Sequence, residues 1–189
     1  FAYGSSSPWP QTPAGMGFSL VRREARGGAS PSLSVAWRAS SNPGGSPGKQ
    51  DPASALSRIL VNEAVANPIA PGQDAVELFN PGTEAVDLGG WFLTDNPAIP
   101  RKFRIPPATF IPGNGYRVFT EKDFNASGTT NDFALSSRGD SIHLLSADDE
   151  GRLTGYDHGF QFGASSPGMS FGRHINSIGE ESFVSQASP

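Results

Sequence analysis

Glycine and proline occur so often in this chain that they divide it into short segments. The 23 glycines and 17 prolines make up about a fifth of the 189 residues, against a usual share of roughly 12%. Both residue types interrupt helices and mark turns. No segment keeps a 3.6-residue apolar period for three turns. This punctuation favours many short strands over long helices.

The segments between these turns have the alternation and β-branched content of strands. An acidic turn at 148–151 joins two of them and predicts a hairpin. Seven or more short strands spaced by turns are typical of two facing sheets, which pack about 10 Å apart. The predicted strands are 58–66, 75–80, 85–88, 91–95, 102–105, 109–111, 116–120, 141–145 and 152–156, with Phe79, Trp91, Phe103, Tyr116 and Phe119 predicted in the core.

Two stretches near the start of the chain recur near its end. Residues 1–8 (FAYGSSSP) match 160–167 (FQFGASSP), and residues 15–18 (GMGF) match 168–171 (GMSF). A repeat of this length indicates a second copy of the same unit. We therefore expect the chain to begin within the closing strands of a preceding copy, as a piece of a longer protein. The predicted division is 1–40 for the end of that copy, 41–55 for a Pro/Gly/Ser-rich linker, and 56–189 for a β-sandwich domain.

An ordered set of motifs in the second copy resembles the lamin-tail family of the bacterial type. The motifs are ILVNEA at 59–64, DAVELFN at 74–80, VDLGGWFLTD at 86–95, FRIP at 103–106, IPG at 111–113 and GDSIHL at 139–144. The resemblance implies an immunoglobulin-like β-sandwich, preceded here by the C-terminal strands of a second, incomplete copy. It further implies an accessory module of large secreted or surface proteins, with no established catalytic residues.

The end of the second copy departs from the family pattern. Residues 180–186 lack the Trp-Arg pair that the first copy has at Trp37-Arg38. How the last strand is anchored is therefore open at the level of the sequence.

Composition excludes several classes of function. The net charge of −4 and pI near 5.3 argue against nucleic acid, whose phosphates require a basic surface. The absence of cysteine excludes disulfide scaffolds and thiolate metal sites. No apolar run reaches the roughly 18 residues needed for membrane insertion.

Two patterns suggest catalysis and fail on closer reading. Glu63 and Glu77 lie in the middle of predicted strands, where a glycosidase could use two acids, but both belong to the ILVNEA and DAVELFN motifs of the family framework. Residues 44–48 (GGSPG) match the G-x-S-x-G pattern of serine hydrolases. The oxyanion hole of those enzymes uses the N–H of the residue after the serine, and Pro47 has none. No catalytic residue is predicted.

Metal and cofactor sites have little support in the sequence. His143, His158 and His174 fall on different predicted elements with no ligand spacing. His143 alternates with Ile142 and Leu144, which predicts that its ring faces solvent. The turn with Asp148 and Asp149 could attract calcium loosely, but lacks the alternating ligands of an EF-hand loop. No cofactor is expected.

Trp9 and Trp37 are the candidate ligand or partner surface, because they lie in loop-rich sequence. Exposed tryptophans are frequent in binding surfaces, but plugs beneath a long loop are the explanation we favour.

The sequence thus predicts a non-catalytic structural or interaction module of an extracellular or cell-surface bacterial protein. It would provide spacing, adhesion or assembly contacts to other domains or to copies of itself. Strand exchange by residues 1–40 is one mechanism, because incomplete sheets leave edges that accept strands; the sequence leaves open whether they pack in cis or in trans. The alternative is a carbohydrate-binding accessory domain of an extracellular hydrolase, with a glycan as partner.

Overall fold

The structure is a computed structural model that describes residues 3–5, 8–23, 30–52, 58–177 and 180–187. Its secondary structure is almost entirely β. The elements in chain order are β1 (Leu20–Arg22), a 3₁₀ turn (Ser34–Ala36), β2 (Trp37–Ala39), β3 (Leu60–Val65), β4 (Ala75–Phe79), β5 (Val86–Asp87), β6 (Phe92–Thr94), β7 (Phe103–Arg104), β8 (Phe110–Ile111), β9 (Tyr116–Thr120), α1 (Glu121–Phe124), β10 (Asp140–Ala147), β11 (Leu153–Phe162), β12 (Met169–Ile175) and β13 (Glu181–Ala187).

Two antiparallel sheets form the body of the molecule. One has five strands in the order β13-β12-β3-β4-β9, and the other has four in the order β11-β10-β6-β7. Two smaller pairs, β1-β2 and β5-β8, complete the described strands. The inward side chains of the two large sheets form one apolar cluster, as expected for sheets that each bury one face. The prediction of an all-β sandwich is confirmed.

A bulge in β3 changes which residues of that strand face the core. The pairing of β3 with β4 shifts between Val61 and Glu63, which leaves Asn62 as an extra residue. An extra residue reverses the alternation beyond it. Ile59 and Val61 are buried before the bulge, and Ala64 is buried after it.

The aromatic side chains predicted for the core divide into three groups. Trp91 and Phe119 are buried as predicted, while Phe79 and Phe103 are half-buried. The assignment of Tyr116 to the core is wrong, because its side chain is 54% exposed. Tyr116 lies on β9, the outer strand of its sheet, and stacks on Phe79 with ring centroids 4.7 Å apart.

The prediction that His143 faces solvent is also wrong, since its side chain is only 5% exposed. The alternation along β10 is regular, but the outer face of the four-stranded sheet is covered at this strand, where Leu145 and Ala147 are buried as well. β10 has neighbours on both sides. A Cβ added at Gly159 would lie 2.8 Å from His143 Nδ1, so the glycine provides the space for the imidazole.

Helical structure in the described residues is limited to the 3₁₀ turn and to the single turn α1. Thr120 and Asp123 form a reciprocal capping box at the start of α1. Among the described residues, no helix has the length and apolar character required to cross a membrane.

Candidate functional site

The outer face of the four-stranded sheet is covered by the N-terminal segment, defined as residues 8–23 and 30–52. Phe18, two residues before β1, is 6% exposed and packs in one cluster with Phe92, Leu145, Ala147 and Leu153 of the sheet. Met16 and Ala39 lie against the same cluster. The segment therefore buries apolar surface that the sheet would otherwise expose to water.

Asp157 on β11 is the polar anchor of this contact. Its carboxylate accepts hydrogen bonds from the Gln11 backbone N–H at 3.0 and 3.1 Å and from the Thr12 N–H at 3.3 Å. The Thr12 hydroxyl lies 3.2 Å from the carboxylate and donates to the Gly155 carbonyl at 2.7 Å. Burial raises the pKa of Asp157, and the donors at Gln11 and Thr12 oppose that shift without cancelling it.

Gly155 permits the close approach of the segment to β11. Its φ is +91°, and a Cβ at this position would lie 2.3 Å from the Ser40 carbonyl oxygen and 3.0 Å from the Phe18 ring. Only glycine tolerates both that dihedral angle and that contact. The backbone of β11 thus forms a fitted surface for the segment.

The segment predicted as a linker is held by a buried ion pair. Arg38 Nη1 lies 2.5 Å from Asp51 Oδ1, with side chains 19% and 4% exposed. Asp51 also accepts from the Ser41 N–H at 3.1 Å and the Ser46 hydroxyl at 3.0 Å. Burial acts to raise the pKa of Asp51, but Arg38, Ser41 and Ser46 outweigh it and the pKa is lowered. Residues 41–52 are therefore turns fixed by side chains, and the predicted boundary at 55/56 lies outside the described residues.

A family comparison matches the sandwich from before β3 into β11, and it leaves out β12, β13 and all but the last residue of the N-terminal segment. A family model described as Lamin Tail Domain matches residues 52–158, more than half of the chain. This chain belongs to the lamin tail domain family. No curated protein and no solved structure matches the chain. The match confirms the resemblance stated above and, with the two sheets, the immunoglobulin-like sandwich.

Trp9 and Trp37, the candidate surface, lie in the N-terminal segment outside the lamin tail match, and both are half-buried. A Cβ at Gly4 would lie 2.9 Å from Trp9 Cδ1, so the indole packs against that glycine. Trp37 lies on β2 rather than in a loop, and its Nε1–H donates to the Pro31 carbonyl at 2.8 Å. A role of either residue in binding stays a prediction.

Glu63 and Glu77 are brought together on the outer face of the five-stranded sheet of the lamin tail domain. They are direct partners in the pairing of β3 with β4. Glu77 Oε1 accepts from Asn62 Nδ2 at 2.7 Å, while Glu63 Oε1 is buried with no hydrogen-bond partner among the described residues. The neighbours in the same row are Val118 and Gly172. The pair is thus flanked in its row by Val118 and Gly172, neither of which is an acid or a base.

Of the remaining candidates from the sequence, His143 and His158 lie on the adjacent strands β10 and β11, close enough to interact electrostatically. Among the described residues, no group of three or more His, Asp or Glu side chains could hold a metal ion. Asp148 Oδ2 lies 2.8 Å from Arg152 Nε, and this guanidinium lowers the pKa of Asp148. The Asp149 carbonyl accepts from Arg104 at 2.7 Å. Calcium binding at this turn stays a prediction.

The last strand is anchored by a cluster that sequence reasoning missed. His158 Nδ1 accepts from the Val61 N–H at 2.9 Å, and His158 Nε2 lies 2.9 Å from Glu181 Oε1. Arg173 donates to the second oxygen of Glu181. Burial acts to raise the pKa of Glu181, but His158 and Arg173 outweigh it and lower the pKa. Phe183 of β13 stacks on Phe160 with ring centroids 3.6 Å apart.

Glu181 and Phe183 thus anchor the last strand, β13, in a domain whose end lacks the Trp-Arg pair. The signal for this anchor in the sequence is the alternation of Glu181, Phe183 and Ser185, which places these residues on one face of a strand.

Proposed function

We propose that this chain is a non-catalytic interaction module of a larger bacterial secreted or cell-surface protein, in which the outer face of the four-stranded sheet receives the closing hairpin of a preceding module. The observation that carries the proposal is the contact of the N-terminal segment with β11 and β10 through Phe18, Asp157 and Gly155. That contact combines apolar burial with backbone hydrogen bonds, the pattern of a specific protein interface.

The internal repeat supports the proposal that this hairpin belongs to a preceding module. Residues 15–18 match 168–171 in sequence. Residues 15–18 end shortly before β1 of the β1-β2 pair, while residues 169–171 are already the start of β12 of the β12-β13 pair. In the second copy the hairpin closes its own five-stranded sheet. In the first copy the equivalent hairpin contacts the next domain. Repeats that contact their neighbours in this way produce arrays with fixed spacing.

Family membership and the surroundings of the candidate residues support a non-catalytic role. The lamin tail domain is a non-catalytic family, and the serine of the GGSPG stretch bonds to Asp51 rather than to a histidine. Secretion and cell-surface location are proposed from the bacterial-type resemblance. The partner is another domain of the same kind or a second copy of this chain.

The proposal is tested by measuring association of the chain with and without residues 1–50. We expect the full chain to be monomeric by light scattering, because its sheet face is filled in cis. The shortened chain exposes Phe92, Leu145 and Leu153, so it should associate or bind an added polypeptide of residues 1–52. A Gly155→Ala version of the shortened chain is the control, because its new methyl group blocks the approach. A shortened chain that stays monomeric and binds no added segment refutes the proposal.

A further inference from the structure

A cavity of about 710 Å³ lies between the N-terminal segment and β11. This volume is within the range of roughly 300–1,000 Å³ that is usual for small-molecule sites. The cavity is lined by the end of β1, by residues 38–41 and 49–51, by Arg58 and by residues 154–157 of β11. It therefore exists only where the segment and the sandwich meet.

Five cationic side chains line this cavity in a chain whose net charge is −4: Arg22, Arg23, Arg38, Lys49 and Arg58. The carboxylates in the lining are Asp51 and Asp157. Asp51 is neutralised by Arg38, and Asp157 is occupied by the donors of Gln11 and Thr12. Neither carboxylate therefore balances the charge of Lys49 or Arg58.

Lys49 and Arg58 have no ion-pair partner in the part of the chain that the structure describes. Arg23 is oriented by its Nε–H, which donates to the Trp37 carbonyl at 2.8 Å. Like charges gathered on the walls of a cleft concentrate the electrostatic potential there. Guanidinium and ammonium groups bind carboxylate, sulfate and phosphate oxygens most strongly.

We propose that this cavity binds a small organic anion that carries two or more carboxylate, sulfate or phosphate groups on one molecule. The cations come from four parts of the chain: the end of β1, Arg38 on β2, the turn around Lys49, and Arg58 at the start of the sandwich. A single inorganic ion would reach only part of them, and the volume admits a molecule as large as an acidic disaccharide. The bound anion would connect the N-terminal segment to the sandwich and stabilise their contact.

The test is titration calorimetry of the full chain at low ionic strength with four probes: citrate, a disulfated disaccharide, inorganic sulfate and cellobiose. We expect citrate and the sulfated disaccharide to bind, with affinity that falls as salt is added, and cellobiose to give no heat. Preference for citrate over the disaccharide, or the reverse, identifies the carrier of the oxyanion groups. Binding of inorganic sulfate as tight as that of citrate overturns the proposal of a multivalent ligand. So does the absence of binding by both organic anions.

Two double charge-reversal variants test whether the anion binds in this cavity. Lys49→Glu combined with Arg58→Glu should lower the affinity for the bound organic anion at least tenfold. Arg117→Glu combined with Lys122→Glu changes the net charge equally at exposed positions outside the cavity, and should leave the affinity within twofold. Equal losses in the two pairs overturn the proposal. If the first pair does not fold, Arg58→Gln alone should still weaken binding, and unchanged binding by it counts against the site. Hydrogen exchange of residues 8–23 should be unaltered in the variant with Lys49→Glu and Arg58→Glu. A loss of anion binding in that variant is then distinguished from a loss of the hairpin contact.

Discussion

His143 keeps a titratable imidazole in the interior of the four-stranded sheet. Its Nδ1 atom has no hydrogen-bond partner among the described residues. Burial lowers the pKa of His143 to about 4, with a smaller contribution from His158, while Asp95 acts in the opposite direction. The unfolded chain binds a proton at this residue near pH 6.5 and the folded chain does not. Stability from His143 is therefore present above pH 6.5 and is lost as the pH falls from there to about 4.

His143→Gln removes this acid sensitivity because glutamine does not titrate. Between pH 7.5 and 4.5 the native protein should lose roughly 2–3 kcal/mol of unfolding free energy through His143. The variant should lose that much less over the same interval, as measured by urea denaturation at the two pH values. Identical pH profiles for native protein and His143→Gln would contradict the assignment.

Gly155 is a second residue with a measurable role. Gly155→Ala should weaken docking of the N-terminal segment, because its methyl group would lie 2.3 Å from the Ser40 oxygen. Gly151→Ala is the matched control: its φ is +78° against +91° at Gly155, but its nearest neighbour would be 3.8 Å away. We expect about 1 kcal/mol of backbone strain in both, and faster hydrogen exchange of residues 8–23 only in Gly155→Ala. Equal exchange in the two variants would show that the close approach is unimportant.

At the scale of elements, β13 is held to the sandwich by its own side chains and lacks the Trp-Arg pair of the family pattern. One of its faces carries Phe183 stacked on Phe160 and Glu181 bound to His158. The other face carries Val184, which is 41% exposed. The strand is thus amphipathic with period two, and its inner face closes one end of the sandwich.

Phe183→Ala should destabilise the protein by about 2 kcal/mol, less than the roughly 3–5 kcal/mol of a fully buried phenylalanine because this ring is half-buried. Val184→Ala, the adjacent residue on the opposite face, should cost under about 0.5 kcal/mol. Urea denaturation measures both values. A loss from Val184→Ala as large as that from Phe183→Ala would mean that the inner face is not the anchor.

Most strands could be predicted from the sequence, because turn residues delimit them and alternation is a local signal. The direction of side chains could be predicted less well. The bulge at Asn62 reverses the alternation of β3, and it depends on register, which local periodicity does not encode. Tyr116 is predicted on the wrong face, because residues three apart on a regular strand, such as Tyr116 and the buried Phe119, point to opposite faces.

At the scale of the whole molecule, the candidate site was beyond prediction from local pattern. Asp157 and the Gln11 N–H are 146 residues apart in the chain. The sequence predicts a repeat and leaves open whether residues 1–40 pack in cis or in trans. No sequence motif marks the residues of the contact. Only the fold brings Phe18, Asp157 and Gly155 together.

Phe18→Ala should release the N-terminal segment while the sandwich stays folded. Phe18 is 6% exposed, so the substitution removes about 3 kcal/mol of contact free energy. Hydrogen exchange should become faster in residues 8–23 and 30–52 and stay slow in β3 and β4. Val35→Ala, at a residue 58% exposed in the same segment, is the control and should change neither. Faster exchange throughout the sandwich after Phe18→Ala would instead indicate one cooperative unit.

The position of β13 at the margin of its sheet has a consequence for handling the protein. Among the described strands, none pairs with its outer side, and its seven residues include one acid, no proline and no lysine. Such a margin can template growth of the sheet by another chain. Joining it to β9 of a neighbour would repeat without closure and give filaments. We therefore expect concentrated solutions to become viscous with time, and Val184→Lys to keep them fluid.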